Sequence, residues 1–429
     1  MSIRNTYPTI RPSLNLDFAR SRTLDPRITF SRTTTGTYMD SDGLIKVASA
    51  DEARFDHKYE DGNIVSLGLL VEEDRSNYVR YSEELDNTSV WGRNNVGITT
   101  NATISPTGEL TADKIIDDTT ASAQHWLRIR ATGLSTTGTY TASAYMKFDP
   151  ENNLNERGIS LTITDAETGG SSYSAIRVLE GGDYAITADD FTNTTGNVDT
   201  LPNGWYRAHL IFTNAGATTE LALRLQLTTS SGGVVYTGDG SSGVFAWGAQ
   251  LEEGSFPTSY IPRPDASTAT RNPDNVSMTG NNFSDWYNQD EGTIYVSQKL
   301  KSIDTVDRNS AVYLINGGSG NDIFYNVKGG DRNIFVFGDG GTNYSRWQEN
   351  GDSTDTKTIW AYDVSGDDFK PYWNGIEGVN ESTTNTPSAT SHTQLEIGAT
   401  IGAKYNGHIS KLSYYPRRLS NSQLQNLTK

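Results

Sequence analysis

The strongest constraint on this chain is a period of two. Tyr140, Ala142, Ala144, Met146 and Phe148 alternate with Thr141, Ser143, Tyr145 and Lys147. Leu221, Leu223, Leu225 and Leu227 alternate with Ala222, Arg224 and Gln226. Ile159, Leu161 and Ile163 alternate with Ser160 and Thr162, and Phe245, Trp247, Ala249 and Leu251 read as one further apolar face. Successive side chains of an extended strand point to opposite sides, so each segment buries one face and leaves the other wet. Turn texts such as "TTGT", "SSGG" and "GDGSSG" separate the segments. Many short strands between such turns predict β-sandwiches. Helix is scarce. The clear signal is "LSNSQLQNL", where Ser420 and Gln423 form a capping-box pattern before Leu424 and Leu427.

Composition excludes several function classes. The 429 residues carry a net charge of −17 and no cysteine. A nucleic-acid binder needs a basic stripe, and none is visible, so no nucleic-acid partner is expected. The acidic total favours a neutral, hydroxyl-rich partner. Disulfides and thiolate metal sites are excluded. Met1 to Thr9 carry no apolar leader core and no apolar run reaches about 18 residues, so neither a secretory signal nor membrane insertion is expected. With 34% hydrophobic residues the chain is apolar-poor, but 22 Tyr, 13 Phe and 8 Trp give it the means to build cores.

The fold expected is all-β: two tandem jelly-roll or concanavalin-like sandwiches after a β-rich N-terminal attachment region. The division reads 1–75 as that lead-in, with "DSDG" (Asp40–Gly43) as a hairpin turn. Residues 76–262 form the first sandwich, 263–285 a Pro/Asn/Ser/Thr-rich linker, and 286–429 the second sandwich.

No enzyme signature emerges. Glu72/Glu73 and Glu252/Glu253 are adjacent acids, which diverge on a strand and cannot flank one glycosidic bond. The text after Glu72 supplies Asp74 and then Asn77 where a concanavalin-type glycanase would need a third acid. His57, His125, His209, His392 and His408 are isolated from one another and from any nucleophile motif. No phosphate-binding loop or dinucleotide fingerprint occurs.

The order of "LNLDF", "ITFSRTTTGTYMDSDGL", "RFDH", "GLLVEEDRSN" and "YSEE", from Leu14 to Trp91, resembles the N-terminal region of tailed-phage virion proteins of the head-spike, head-fibre and tail-fibre kind. "YTASAYMKF", "LPNGWYRAHLIFTN" and "VFAWGAQLEEGSFPTSYIP" are similar to strand texts of a carbohydrate-binding-module jelly roll. "TIWAYDVSGDDFKPYWNGIEG" and "NGHISKLSYYPRRLSNSQLQNL" are similar to laminin-G-like, concanavalin-like domains. The resemblance implies a virion structural protein, localised to the particle, whose lectin-like domains bind host-surface glycans. Its implied partners are other capsid or tail proteins and copies of itself, with a homotrimer favoured. The competing expectations are a polysaccharide depolymerase with accessory modules and a purely structural capsid or tail protein without ligand.

Flat rings stack on the C–H faces of sugars, which singles out the aromatics. Tyr344, Trp347 and Trp373 are expected to form an exposed platform in the second sandwich, because Tyr372 and Trp373 must face opposite ways. Trp91 and Trp126 are the candidates in the first. Trp205, Trp247 and Trp360 read as structural. Calcium is the candidate cofactor, held by loop carboxylates: Asp239 in "TGDGSS", and Asp367 and Asp368 in "SGDD".

Overall fold

Leu221, Leu223, Leu225 and Leu227 all lie in one core, together with Ile159, Leu161 and Ile163 and the alternating face of Tyr140–Met146. A computed structural model of the chain describes residues 7–149, 157–165, 173–179, 181–188, 191–214, 219–301, 311–315, 323–329, 332–339, 342–350, 354–366, 368–380, 392–400 and 403–429, with 173, 323–350, 379–380, 399–400 and 403–404 described as backbone only. The architecture is all-β, with every strand pair antiparallel among the described residues.

Two six-stranded sheets make the first sandwich. One runs Thr192–Thr200, Trp205–Thr213, Thr139–Phe148, Gly243–Glu253, Leu110–Asp117, Val96–Ile104 in spatial order. The other runs Tyr184–Ala188, Tyr173–Val178, Gly158–Asp165, Glu220–Thr228, His125–Thr132, Gly92–Asn94. The Gly243–Glu253 strand departs from simple alternation. Val244, Ala246, Ala249 and Leu251 face the core, whereas Phe245 and Trp247 point outward to meet Ile45, Tyr145, Trp205 and Tyr260. The cause is a register shift opposite Ser143 and Tyr145, with Gly248 at φ +63°. An extra residue at such a bulge moves the following side chains to the other face. The expected single face of Phe245, Trp247, Ala249 and Leu251 is corrected accordingly.

Two eight-stranded sheets make the second sandwich, and its strands come from both ends of the chain. Gly407–Tyr415 pairs with Glu291–Leu300 on one side and with Leu14–Asp17 and Asn63–Val71 on the other. Arg54–Glu60 extends that sheet, and Thr29–Ser31 joins the opposing one beside Asn275–Thr279. Leu14, Leu16, Phe18, Leu69 and Val71 pack in its core with Trp360, Leu412 and Tyr414. Two expected boundaries change as a result. Residues 1–75 are not a separate lead-in but supply strands of the second sandwich, and their Gly36–Met39/Ile45–Ala48 hairpin covers the first. Residues 263–285 are not a linker, since Ala269–Arg271 pairs with Arg75–Asn77 and Asn275–Thr279 is a second-sandwich strand. The first sandwich is thus inserted between the two halves of the second.

The hairpin turn and the last helix form as the sequence predicts. Asp40 Oδ1 accepts from Leu44 N at 3.0 Å, with Gly43 at φ +77°. The Asn421–Thr428 helix starts with Ser420 N donating to Gln423 Oε1 at 3.0 Å.

Candidate functional site

The outer face of the His125–Thr132 sheet carries the residues its core does not use. Leu127, Ile129 and Ala131 point inward. Trp126, Arg128 and Arg130 therefore point outward, as do Ala222, Arg224 and Gln226 on the next strand and Ser160 and Thr162 on the one after. Register sets them in rows. Trp126 faces Gln226, which faces Ser160, and Arg128 faces Arg224, which faces Thr162. Trp126 is half-buried. The guanidinium carbons of Arg128 and Arg224 lie 5.1 and 4.9 Å from its ring centroid.

The charges on this face are unbalanced. Arg130 is paired with Glu220 at 2.9 Å. Arg128 and Arg224 have no acidic partner among the described residues. Arg224 is only 7% exposed, and its Nε is buried without a hydrogen-bond partner. Burial, and then the facing Arg128, push the Arg224 guanidinium below its ordinary value. Burial, and then Arg130, do the same to Arg128. Like charges directly opposite one another weaken a sheet. Cation–π contacts return roughly 0.5–2 kcal/mol each but make none of the hydrogen bonds a guanidinium needs.

The other aromatic candidates fall elsewhere. Trp91 is 1% exposed in the first core, its Nε1 donating to Tyr81 O at 3.1 Å, so it is not a surface platform. Trp373 is also corrected. It packs in the second core, and Tyr372 on the other face is covered by Leu419 and Leu424 from the C-terminal segment. Opposite facing did not expose either ring because both sides of that strand are covered. Tyr344 and Trp347 lie on the Thr342–Asn350 strand, with side chains outside the described residues. Arg128, Arg224 and Gln226 escaped the sequence reading. Their signal was the Trp-x-Arg-x-Arg alternation in "HWLRIRAT" facing an Arg in "ELALRLQLT".

The described aspartates proposed for calcium are occupied by donors. Asp239 accepts from Ser241 N and Oγ at 2.8 and 2.9 Å and from Ser242 N and Oγ, both at 2.7 Å. Asp368 sits 2.9 Å from Arg418 Nε. Asp367 lies outside the described residues. No group of three metal-binding side chains occurs among the described residues.

Glu72 and Glu252, one acid of each pair, are buried and tied into the fold. Glu72 is 1% exposed and takes Arg54 Nη1 at 2.7 Å, Lys301 Nζ at 2.7 Å, Arg271 Nη1 at 3.2 Å and Ser259 N at 2.8 Å. Asp274 bridges Arg54 and Arg32 at 2.5 and 2.9 Å. Burial alone would raise the Glu72 carboxyl, but Arg271, Lys301 and Arg54 hold it well below the ordinary range. Glu252 accepts from Thr258 N and Oγ1 at 2.9 and 2.6 Å. The knot ties the N-terminal segment, the exit of the first sandwich and the second sandwich together.

A cleft of about 970 Å³ opens beside this knot, between the N-terminal strands and both sandwiches. His408 Nε2 lies 2.7 Å from Asp56, and His57 Nδ1 lies 3.0 Å from Met39 O. His209 stands 3.9 Å from Asp199, yet burial outweighs that carboxylate, Arg207 adds repulsion, and its imidazole falls to about 4. His57, His209 and His408 all line this cleft, each held by a different partner.

No protein-family model matches the sequence, and no curated protein matches it significantly. Among solved structures, the CBM40 of a Ruminococcus gnavus IT-sialidase, bound to α2,6-sialyllactose, is 20% identical at a TM-score of 0.28, covering 33% of this chain and 84% of its own. Domain 4 of AbnA, an arabinanase from Geobacillus stearothermophilus in complex with arabinotriose, is 14% identical at a TM-score of 0.24, covering 40% and 82%. Mouse laminin α1 domains LG4-5 are 8% identical at a TM-score of 0.24, covering 71% and 89%. These likenesses assign no residue of this chain a role.

Proposed function

We propose that the chain is a glycan-binding adhesive protein of a bacteriophage particle, non-enzymatic, acting as an oligomer with a trimer favoured. One observation supports glycan binding most: a half-buried Trp126 on the outer sheet face, beside a half-buried Arg128 and the buried polar ends of Arg224 and Gln226. An aromatic surface with adjacent hydrogen-bond donors suits a sugar, which offers C–H faces and hydroxyls together. Single-site affinity on one small sheet face is weak, and repetition on a particle raises it by avidity. The particle assignment rests on the Leu14–Trp91 text. Glu72 is spent on the buried knot and Glu252 on Thr258, which favours adhesion over hydrolysis.

A glycan array probed with the full chain tests this reading. Trp126→Ala is expected to lower binding by roughly tenfold or more, the scale of one lost aromatic contact in a small interface, with circular dichroism unchanged. Equal binding by the variant, or release of new reducing ends from host capsular polysaccharide by the pure protein, would sink it. Immunolabelling of particles checks the location, and sedimentation checks the oligomer.

A further inference from the structure

Arg128 and Arg224 form a like-charged pair with no acid to balance it among the described residues. They are cross-strand neighbours on the outer face, Arg128 half-buried and Arg224 buried. Arg130, one position further along, has its own carboxylate in Glu220. Among the described residues no hydrogen bond or ion pair engages the guanidinium of Arg128 or Arg224, and the side chain of Gln226, 5% exposed, has no hydrogen-bond partner there either. The buried Nε of Arg224 lacks a partner. Three polar side chains therefore converge on one place with donors to spare, in a protein whose net charge is −17. A desolvated guanidinium pair is satisfied by a planar oxyanion, which accepts two parallel N–H bonds from one of them and a third from its neighbour.

We propose that this face binds an acidic glycan, its carboxylate or sulfate seated on Arg128 and Arg224 and its sugar against Trp126. This deepens, and rests on, the glycan-binding reading above. It also reverses the expectation of a neutral partner: the whole-chain charge is acidic, but the local field at this face is cationic. A nucleic acid fits less well, because its dense phosphate charge would meet the remaining acidic surface.

The test titrates the full chain with matched pairs: oligogalacturonate against its methyl ester, sialyllactose against lactose, and a sulfated against an unsulfated galactan oligomer. A single-stranded DNA oligomer runs beside them. The acid member of at least one pair is expected to bind more tightly, with affinity falling as salt rises. Carboxylate or sulfate preference then identifies the anion. Arg128→Gln, at a half-buried position, is expected to lose roughly tenfold for the acid and nothing for its neutral partner, with Arg128→Lys recovering part. Acid and neutral members binding alike, or acid binding unchanged in a folded Arg128→Gln, would overturn this inference while Trp126-dependent glycan binding stands. DNA binding through these arginines with no acidic sugar bound would also overturn it. No glycan bound at all would overturn both readings.

Discussion

Glu72 shows how a single side chain can look catalytic and be structural. Its carboxylate is shared by Arg54, Arg271 and Lys301 in a site closed to water. Removing one partner from a buried ion cluster leaves charge uncompensated. Glu72→Gln is therefore expected to cost about 3–5 kcal/mol, read as a lowered denaturant midpoint with unchanged far-UV spectrum at low denaturant. His209 gives a pH signature of its own. Its folded value is near 4, against about 6.5 for an unfolded histidine. Between those values the unfolded chain holds more protons, so stability falls as pH falls through that window. Urea unfolding from pH 7 to pH 4 is expected to show a loss on the order of 2–3 kcal/mol from this group. His209→Gln should flatten the slope above pH 4.5, where Glu72 remains charged and contributes little. The Glu72 role was partly legible: adjacent acids diverge on a strand. Its partners were not, because Ser259, Arg271 and Lys301 lie far along the chain.

Strand by strand, alternation placed the Leu221–Leu227 and Ile159–Ile163 faces correctly because period two needs only local sequence. It failed at Gly248, where a bulge flips the face between Trp247 and Ala249. At φ +63° a side chain is disfavoured, and a Cβ there would come 3.0 Å from Tyr145 Cδ2. Gly248→Ala is expected to cost about 1–2 kcal/mol, measured by thermal denaturation. Alternation also misjudged Trp373. Two faces of a strand are not one wet and one dry when the C-terminal segment packs on the second, as Leu419 and Leu424 do over Tyr372. Trp126 was legible as a candidate, whereas the Arg128–Arg224 row required knowing which strand lies beside which.

Across the whole molecule, sequence separation hid the topology. Leu14 pairs with Tyr414, and nothing local announces it. The Leu14–Trp91 text largely spells the knot and its surroundings: Arg32, Arg54, Asp56, Glu72 and Asn77 all make buried or partly buried bonds across the chain. The insertion arrangement makes the two sandwiches unequal. Residues 76–262 hold nearly all of one core and are expected to fold alone, melting cooperatively with a β-type spectrum. Residues 286–429 lack Leu14–Asp17 and Asn63–Val71, which leaves the flank of Gly407–Tyr415 open. That fragment is expected to aggregate or stay unfolded, as size-exclusion chromatography would show.

The most direct measurement is a crystal structure of the full chain with an oligosaccharide selected on the array. A sugar in contact with Trp126 and hydrogen-bonded to Arg128, Arg224 or Gln226 is the expected result. A sugar seated only in the cleft beside His57 and His209, with the Trp126 face bare, would contradict it.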